Sequence, residues 1–331
     1  MAVMMLPGCA GSRRRAGEPI QPAGFNLFTP EQDIQLGREA ATQVRRELPV
    51  VRDSALQGYI ERVGGRLASQ PGAAKFPYEF GLINDRSINA FALPGGPVFI
   101  NTGLITSADN EAQLAGVMAH EIAHVALRHG TAQASRSQAI QLPAAIAGGL
   151  VGGGGSLLGQ LAQLGIGLGA QSVLLSYSRE AELEADALGA RIMHSAGYNP
   201  LEMARFFEKL EAEGGSRAPQ FLSSHPSPGN RLQQVQAEIR QLPQREYQTN
   251  ISGDFKRMQQ RAQQLPAPPR QSSQLLLVPV VSSVKLEKTS VEPPYAMPIQ
   301  SPAISTPAAG PHRFSGLRGA QAGRAAAASA A

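Results

Sequence analysis

The sequence predicts an α+β protein, mainly α-helical, with one small β-sheet beside a helix that presents two histidines. Three observations carry this prediction. Apolar residues at helical spacing, with matched start signals, occupy residues 29–68 and again run from about Ser107 to about Leu242. Between them, residues 76–101 show period-two alternation and short apolar runs broken by Pro and Gly. The chain has 331 residues, 42% of them hydrophobic, which is enough for one sizeable core with appendages or for two small domains.

Taken in order, residues 1–9 are short and apolar and end in Leu6-Pro7-Gly8-Cys9, followed by Ala10-Gly11. This resembles the end of a bacterial lipoprotein signal peptide, truncated at its start, with Cys9 as the lipidated residue and Pro7 as a departure from the usual lead-in. Residues 10–27 are polar, with Gly and Pro, and read as a linker. Thr29-Pro30-Glu31-Gln32 is a helix start in which Thr29 caps, Pro30 fits the first turn and Gln32 closes a capping box. That helix runs to about Leu48. A second begins at Asp53, with Leu56, Tyr59, Ile60, Val63 and Leu67 on one face.

Phe76, Tyr78, Phe80 and Leu82 then alternate as a strand does. The runs 90–93 and 97–101, separated by Pro94-Gly95-Gly96, complete a small sheet with a hairpin-like connection. Helices resume, among them residues 111–129, which end before Gly130 as a C-cap, and one starting at Asn199-Pro200-Leu201-Glu202. The predicted organisation is thus a signal over 1–9, a linker over 10–27, a main domain over 28–242 and a short helical extension over 243–265. A Pro- and Ala-rich disordered tail follows over 266–331.

Composition excludes several functions. Mean hydropathy of −0.16 argues against a protein with many membrane spans. With no Trp and only 5% aromatic residues, base-stacking recognition of nucleic acid is not expected. The net charge of +5 owes much to terminal arginines (Arg13 to Arg15, Arg313, Arg318 and Arg324) and reads as a basic tail or an attraction to a membrane surface. Cys9 is the only cysteine, so neither an intrachain disulfide nor a four-thiolate metal site can form. No charged residue lies between Arg136 and Arg179; within that stretch 156–175 is long enough to span a bilayer, but its Gln and Gly content favours a buried or membrane-touching helical flap.

The chemistry concentrates in His120-Glu121-Ile122-Ala123-His124. Four residues apart on a helix, His120 and His124 lie about 40° apart around the axis and about 6 Å along it. Both imidazoles can therefore reach one zinc ion at about 2.0–2.1 Å. Glu121 stands one step round the helix, too far for a third ligand but suited to take a proton from a water activated by the ion, as a general base in hydrolysis. A catalytic zinc needs a third protein ligand. The acidic helix Ser178-Arg179-Glu180-Ala181-Glu182-Leu183-Glu184-Ala185-Asp186 offers Glu182, with Asp186 four residues on to accept the free N–H of a ligand histidine. By spacing alone, Glu180 or Glu184 serves equally well, and without the two histidines this run would read as a solvated acidic face. His129, five residues beyond His124, points about 140° away from it on a continuous helix and reads as a helix-end residue. His194 reads as a packing or capping residue, His312 as part of the tail, and Asn89 as a residue that steers a loop.

The HExxH segment, Ser178-Arg179-x-x-Glu182-x-x-Ala185-Asp186, and Ser224-His225-Pro226 ending in Asn230-Arg231 together resemble metallopeptidase family 48 over roughly residues 27–240. Asn89-Ala90-Phe91-Ala92-Leu93-Pro94-Gly95-Gly96 is similar to the strand segment that precedes the family's metal helix. The resemblance implies a zincin-type fold and one zinc ion held by His120, His124 and Glu182. It makes Glu121 the general base and Asp186 the residue that orients a ligand histidine. His225 matches a family histidine that approaches the metal, either donating to the transition-state oxyanion or filling the open position in a latent form. Arg179 and Arg231 match motif arginines expected in structural ion pairs.

No tetratricopeptide-like region is recognisable after residue 240 and no clear membrane spans are present. The expectation is a periplasmic endopeptidase of the bacterial cell envelope, lipid-anchored through Cys9 and acting on unfolded or misassembled polypeptides. A substrate strand would pair with the sheet edge near Pro97 to Asn101. Two rival readings are a latent zinc-bearing chaperone or assembly factor and a lipoprotein adaptor with a vestigial site.

Overall fold

The computed structural model describes residues 14–22, 24–136, 177–212 and 220–268. Cys9, the stretch 156–175 and His312, with the readings attached to them, lie outside these residues. Where the linker is described, it is mostly exposed but tied to the domain by hydrogen bonds: Arg14 Nη2 and Gly17 N donate to the Glu238 carboxylate, and Asn26 Nδ2 donates to Thr131 Oγ1.

Helix α1 (Pro30–Glu47) starts as its sequence predicts. Thr29 Oγ1 accepts from Gln32 N, and the Gln32 side chain accepts from Thr29 N, closing the capping box. Asp53 accepts from Ala55 N and Leu56 N to start α2 (Ser54–Ala68), whose predicted apolar face is buried throughout. The sheet has the order β1-β3-β2, with β1 (Glu79–Ile83) parallel and β2 (Ala90–Ala92) antiparallel to β3 (Pro97–Asn101). The turn into β3 requires glycine: Gly96 has φ 138°, and a Cβ there would lie 2.4 Å from Pro77 O.

This order corrects one expectation. Pro97–Asn101 is the middle strand, hydrogen-bonded on both sides and buried at all five positions, so no substrate can pair along it. Among the described residues the sheet edge packed beside the histidine helix belongs to β2.

After α3 (Thr102–Ser107) comes α4 (Glu111–Ala126), the centre of the molecule, with every one of its residues buried. It packs against α2, β2 and the two helices α6 (Arg179–Ala196) and α7 (Leu201–Ala212). The sequence expectation ran this helix to His129 and ended it at Gly130. Instead it stops at Ala126, and Arg128 takes the left-handed turn with φ 58°. That conformation costs a non-glycine residue about 1 kcal/mol or more. The Arg128 guanidinium offsets it by bonding Asp33 Oδ2 (2.6 Å) and Phe28 O (2.5 Å). The chain reverses there, and a new helix, α5 (residues 129–136 as described), begins.

Ser178 caps α6 and left-handed Gly197 ends it. Gly189 lets α6 lie close on α4, since a Cβ there would stand 3.2 Å from His120 N. Asn199 Oδ1 accepts from Leu201 N at the predicted start of α7. Two short helices, α8 (Gln220–Ser224) and α9 (Arg231–Ile239), precede α10 (Phe255–Gln263), which buries Phe255, Met258 and Ala262. No helix among the described residues is long and apolar enough to cross a membrane.

Glu111, at the first turn of α4, ties three parts of the chain together. Its carboxylate is fully buried and accepts from Tyr59 Oη (3.0 Å), Tyr198 Oη (2.8 Å), Ile251 N (3.1 Å), Ser252 N (2.9 Å) and the Ser252 hydroxyl. No cation neutralises it among these contacts; hydroxyls, amides and the helix N-terminus carry the charge. Glu111→Gln replaces an acceptor oxygen with an NH2 group that must face donors. The expected cost is about 1–3 kcal/mol of stability, read from urea unfolding. An unchanged midpoint would show that the network does not hold residues 251–252 against the core.

Candidate metal centre

α4 supplies His120 and His124 from adjacent turns, and both rings are buried, at 0% and 2% exposure. α6 crosses them and places Glu182 opposite, while His225 follows directly on the end of α8. The side-chain donor atoms of His120, His124, Glu182 and His225 all lie within 4.8 Å of one another. Of the three acidic residues that spacing left open, the structure brings Glu182 to the histidines. Glu180 is exposed and Glu184 lies to one side, on His129.

The pairwise distances are short. His120 Nε2 is 3.0 Å from His124 Nε2 and 3.4 Å from Glu182 Oε2; His124 Nε2 is 3.4 Å from Glu182 Oε1. His225 Nδ1 is 3.2 Å from His120 Nε2 and 3.0 Å from Glu182 Oε1. An ion with tetrahedral donors about 2.0–2.1 Å away spaces those donors roughly 3.3 Å apart, so the set fits one.

Proton placement gives a second test of that fit. His120 Nδ1 lies 3.0 Å from Asp186 Oδ1. A carboxylate only accepts, so Nδ1 carries a proton, and Nε2 is the nitrogen left to meet a metal ion or a second proton. Nε2 faces inward, toward His124 Nε2. Two ring nitrogens 3.0 Å apart need a cation or a proton between them, a place that a metal ion fits.

The electrostatics are those of a buried cluster. Burial disfavours charge on His120, but Glu182 and Asp186 outweigh it and push its pKa up to about 9. His124 is held well below the ordinary histidine range by burial and by the charge of His120. Burial raises Glu121, with His225 and His120 pulling the other way. Glu182 is depressed: burial opposes its charge, yet His225 and His120 more than compensate.

Glu121 itself is 1% exposed. Its Oε1 stands 3.3 Å from His225 Nε2 and makes no hydrogen bond. Arg231 behind the cluster is fully buried: Nη2 donates to Glu182 Oε2 at 2.8 Å, Nε is 3.3 Å from Asp186 Oδ2, and the guanidinium lies over the Phe207 ring at 4.4 Å. The other motif arginine differs from its expectation, because Arg179 is exposed and forms no ion pair among the described residues.

Three neighbours were missed or discounted in the sequence. Tyr177 stacks on His124 with ring centroids 4.0 Å apart, and its N–H donates to Ser224 O. Phe221 stacks on His225 at 4.3 Å. His129 meets His124 Nδ1 to Nδ1 at 2.9 Å. A tyrosine at the end of an uncharged stretch carries no local signal, and a phenylalanine reads as core. His129 was visible, but the assumption of a continuous helix turned it away. His194 is the packing residue expected, with Nδ1 3.0 Å from Tyr247 Oη.

A small sheet flanking a buried helix, which faces a carboxylate from a second helix across paired histidines, is the arrangement of a zincin-like metallopeptidase. The family model described as Peptidase family M48 matches residues 54–239, more than half of the chain. The chain belongs to peptidase family M48. It is 37% identical over 221 residues to the beta-barrel assembly-enhancing protease of Escherichia coli (strain K12), covering 64% of this chain and 44% of that protein. It is 36% identical over 253 residues to the putative beta-barrel assembly-enhancing protease of Vibrio cholerae, covering 73% and 51%. It is also 30% identical over 219 residues to the mitochondrial metalloendopeptidase OMA1 of Schizosaccharomyces pombe, covering 64% and 62%. The chain thus spans about half the length of the bacterial relatives it matches.

Proposed function

We propose that this chain is a zinc-dependent metalloendopeptidase that hydrolyses peptide bonds in unfolded or misassembled cell-envelope proteins. The observation that carries the reading is the convergence of His120, His124 and Glu182 beside a buried Glu121 that lacks a hydrogen-bond partner at one oxygen. In this reading His120 Nε2, His124 Nε2 and Glu182 hold the ion, and Asp186 keeps the proton of His120 on Nδ1. Two imidazoles and a carboxylate suit zinc, which when bound supplies positive charge that polarises a peptide carbonyl and acidifies water.

Glu121 takes the proton from water at its unpartnered oxygen and returns it to the leaving amine. Burial raises its pKa, which makes it a stronger base than a surface carboxylate. A substrate strand pairs with the edge of β2, which gives main-chain recognition suited to unfolded chains of varied sequence. A periplasmic location and lipid attachment at Cys9 belong to the same proposal, and mass spectrometry of the mature N-terminus checks them. Measuring hydrolysis of an unfolded protein by the zinc-loaded chain tests the whole; hydrolysis that does not depend on Glu121 would sink it.

One observation favours a latent form of the same enzyme. His225 Nδ1 is the fourth member of the donor cluster and lies where a substrate carbonyl or water would have to enter. His225→Ala is therefore expected to increase hydrolysis, about tenfold if nine molecules in ten are closed. A loss of rate would instead assign His225 to the oxyanion, and no change would make it a scaffold.

A further inference from the structure

We propose that His129 and Glu184 form an outer relay that fixes the ring of His124, as Asp186 does for His120. The proposal rests on the metallopeptidase reading for its purpose but on the geometry of three side chains for its content. Glu184 Oε2 lies 3.1 Å from His129 Nε2, and His129 Nδ1 lies 2.9 Å from His124 Nδ1. His129 is 4% exposed, and the turn that aims it is the left-handed Arg128, anchored to Asp33 of α1 and to Phe28 O just before that helix.

The direction of these bonds follows from what each group can do. The Glu184 carboxylate only accepts, so His129 Nε2 carries the proton. In a ring that carries one proton, Nδ1 then has a lone pair. His124 Nδ1 must donate to that lone pair, which leaves His124 Nε2 bare and pointing toward His120 Nε2, 3.0 Å away. The opposite tautomer of neutral His129 would set a lone pair against a carboxylate at 3.1 Å. Tyr177 closes the face of the His124 ring at 4.0 Å, so stacking and hydrogen bonding together leave one ring orientation.

The two histidines of α4 are therefore oriented by unlike devices. His120 meets its carboxylate directly. His124 meets one through a second imidazole, and that imidazole reaches it only because α4 stops at Ala126. A helix continued through residue 129 would carry His129 about 140° away. The early end of the helix and the strained Arg128 gain a purpose on this view: they bring an acceptor back onto the last histidine.

The test compares His129→Leu with His129→Asn. Leu keeps volume and loses the acceptor; Asn loses volume but presents Oδ1 close to where Nδ1 stood. Zinc affinity is measured by competition with a chromophoric chelator at about pH 8, where an ordinary imidazole is neutral. The expected result is zinc binding weakened about 10–100-fold in His129→Leu and largely restored in His129→Asn. Wild-type affinity in His129→Leu, or a weaker site in His129→Asn than in His129→Leu, overturns the relay, because the second order is what packing alone predicts.

Long-range proton–nitrogen NMR of the metal-free chain, labelled at histidine, gives an independent readout. His124 is expected to carry its proton on Nδ1 in wild type and His129→Asn, and to lose that preference in His129→Leu; an Nε2-protonated His124 in wild type overturns the proposal. If wild type binds no zinc, the peptidase reading fails while the NMR result still decides the relay. If His129→Leu does not fold, Glu184→Ala, at a half-exposed position, takes its place: a weakened site supports the relay and an unchanged one overturns it.

Discussion

Glu121→Gln is expected to abolish hydrolysis of an unfolded protein substrate while leaving the bound metal in place. Gln has the shape of Glu and preserves the packing of a residue that is 1% exposed, but it cannot take a proton from water. Loss of a positioned general base costs about 10²–10⁴-fold in rate. Because Glu121 approaches the cluster beside the donors rather than among them, metal content by elemental analysis should match wild type. Stability has a definite sign as well. Burial raises the pKa of Glu121, so its ionised form opposes folding above the ordinary carboxylate range, and that opposition disappears as pH falls through the raised value. A neutral Gln removes it, so the variant should melt no lower than wild type at neutral pH. Residual hydrolysis at the wild-type rate would remove Glu121 from the mechanism.

Glu182→Gln is expected to have the larger structural effect, since it removes two things at once. The proposed metal site loses its carboxylate, and Arg231, fully buried behind it, loses the negative charge that it meets at 2.8 Å and keeps at most a neutral amide oxygen. A buried charge deprived of its partner costs about 3–5 kcal/mol, and Asp186 Oδ2, 3.3 Å from Arg231 Nε, keeps the loss toward the lower end. Chemical unfolding of metal-free protein isolates this contribution, and metal analysis reports the other. The chelator-treated wild type should melt between zinc-loaded wild type and Glu182→Gln, because a ligand bound only to the folded state stabilises it by mass action. If Glu182→Gln retained both zinc and wild-type stability, Glu182 would be neither a ligand nor the partner of Arg231.

Much of the fold was legible because its signals are local. Thr29 with Gln32, Asp53, and Asn199 are caps that act within one turn, and the apolar face of α2 is a period that any short window reveals. The strand segments were readable for the same reason, but their order was not. Nothing in residues 97–101 states that they pair on both sides, and a central strand differs from an edge strand only in its neighbours. The end of α4 was misplaced because Gly130 is the better local stop. Arg128 took the left-handed position because Asp33 and Phe28, about a hundred positions earlier, bind its side chain.

By itself the sequence determined that two imidazoles share one helical face with a carboxylate between them, since four residues make slightly more than one turn. It also determined, through the spacing of several motifs together, the family to which the chain belongs. Only the tertiary structure decided which acid on α6 faces the histidines. Gly189 lets that helix lie against α4 so that Glu182 turns inward and Glu180 outward, a rotation no local period encodes. The return of His129 onto His124 and the entry of His225 into the cluster have the same origin. They bring together atoms whose residues lie 5 and 105 positions apart, and such meetings depend on how turns reverse and helices pack.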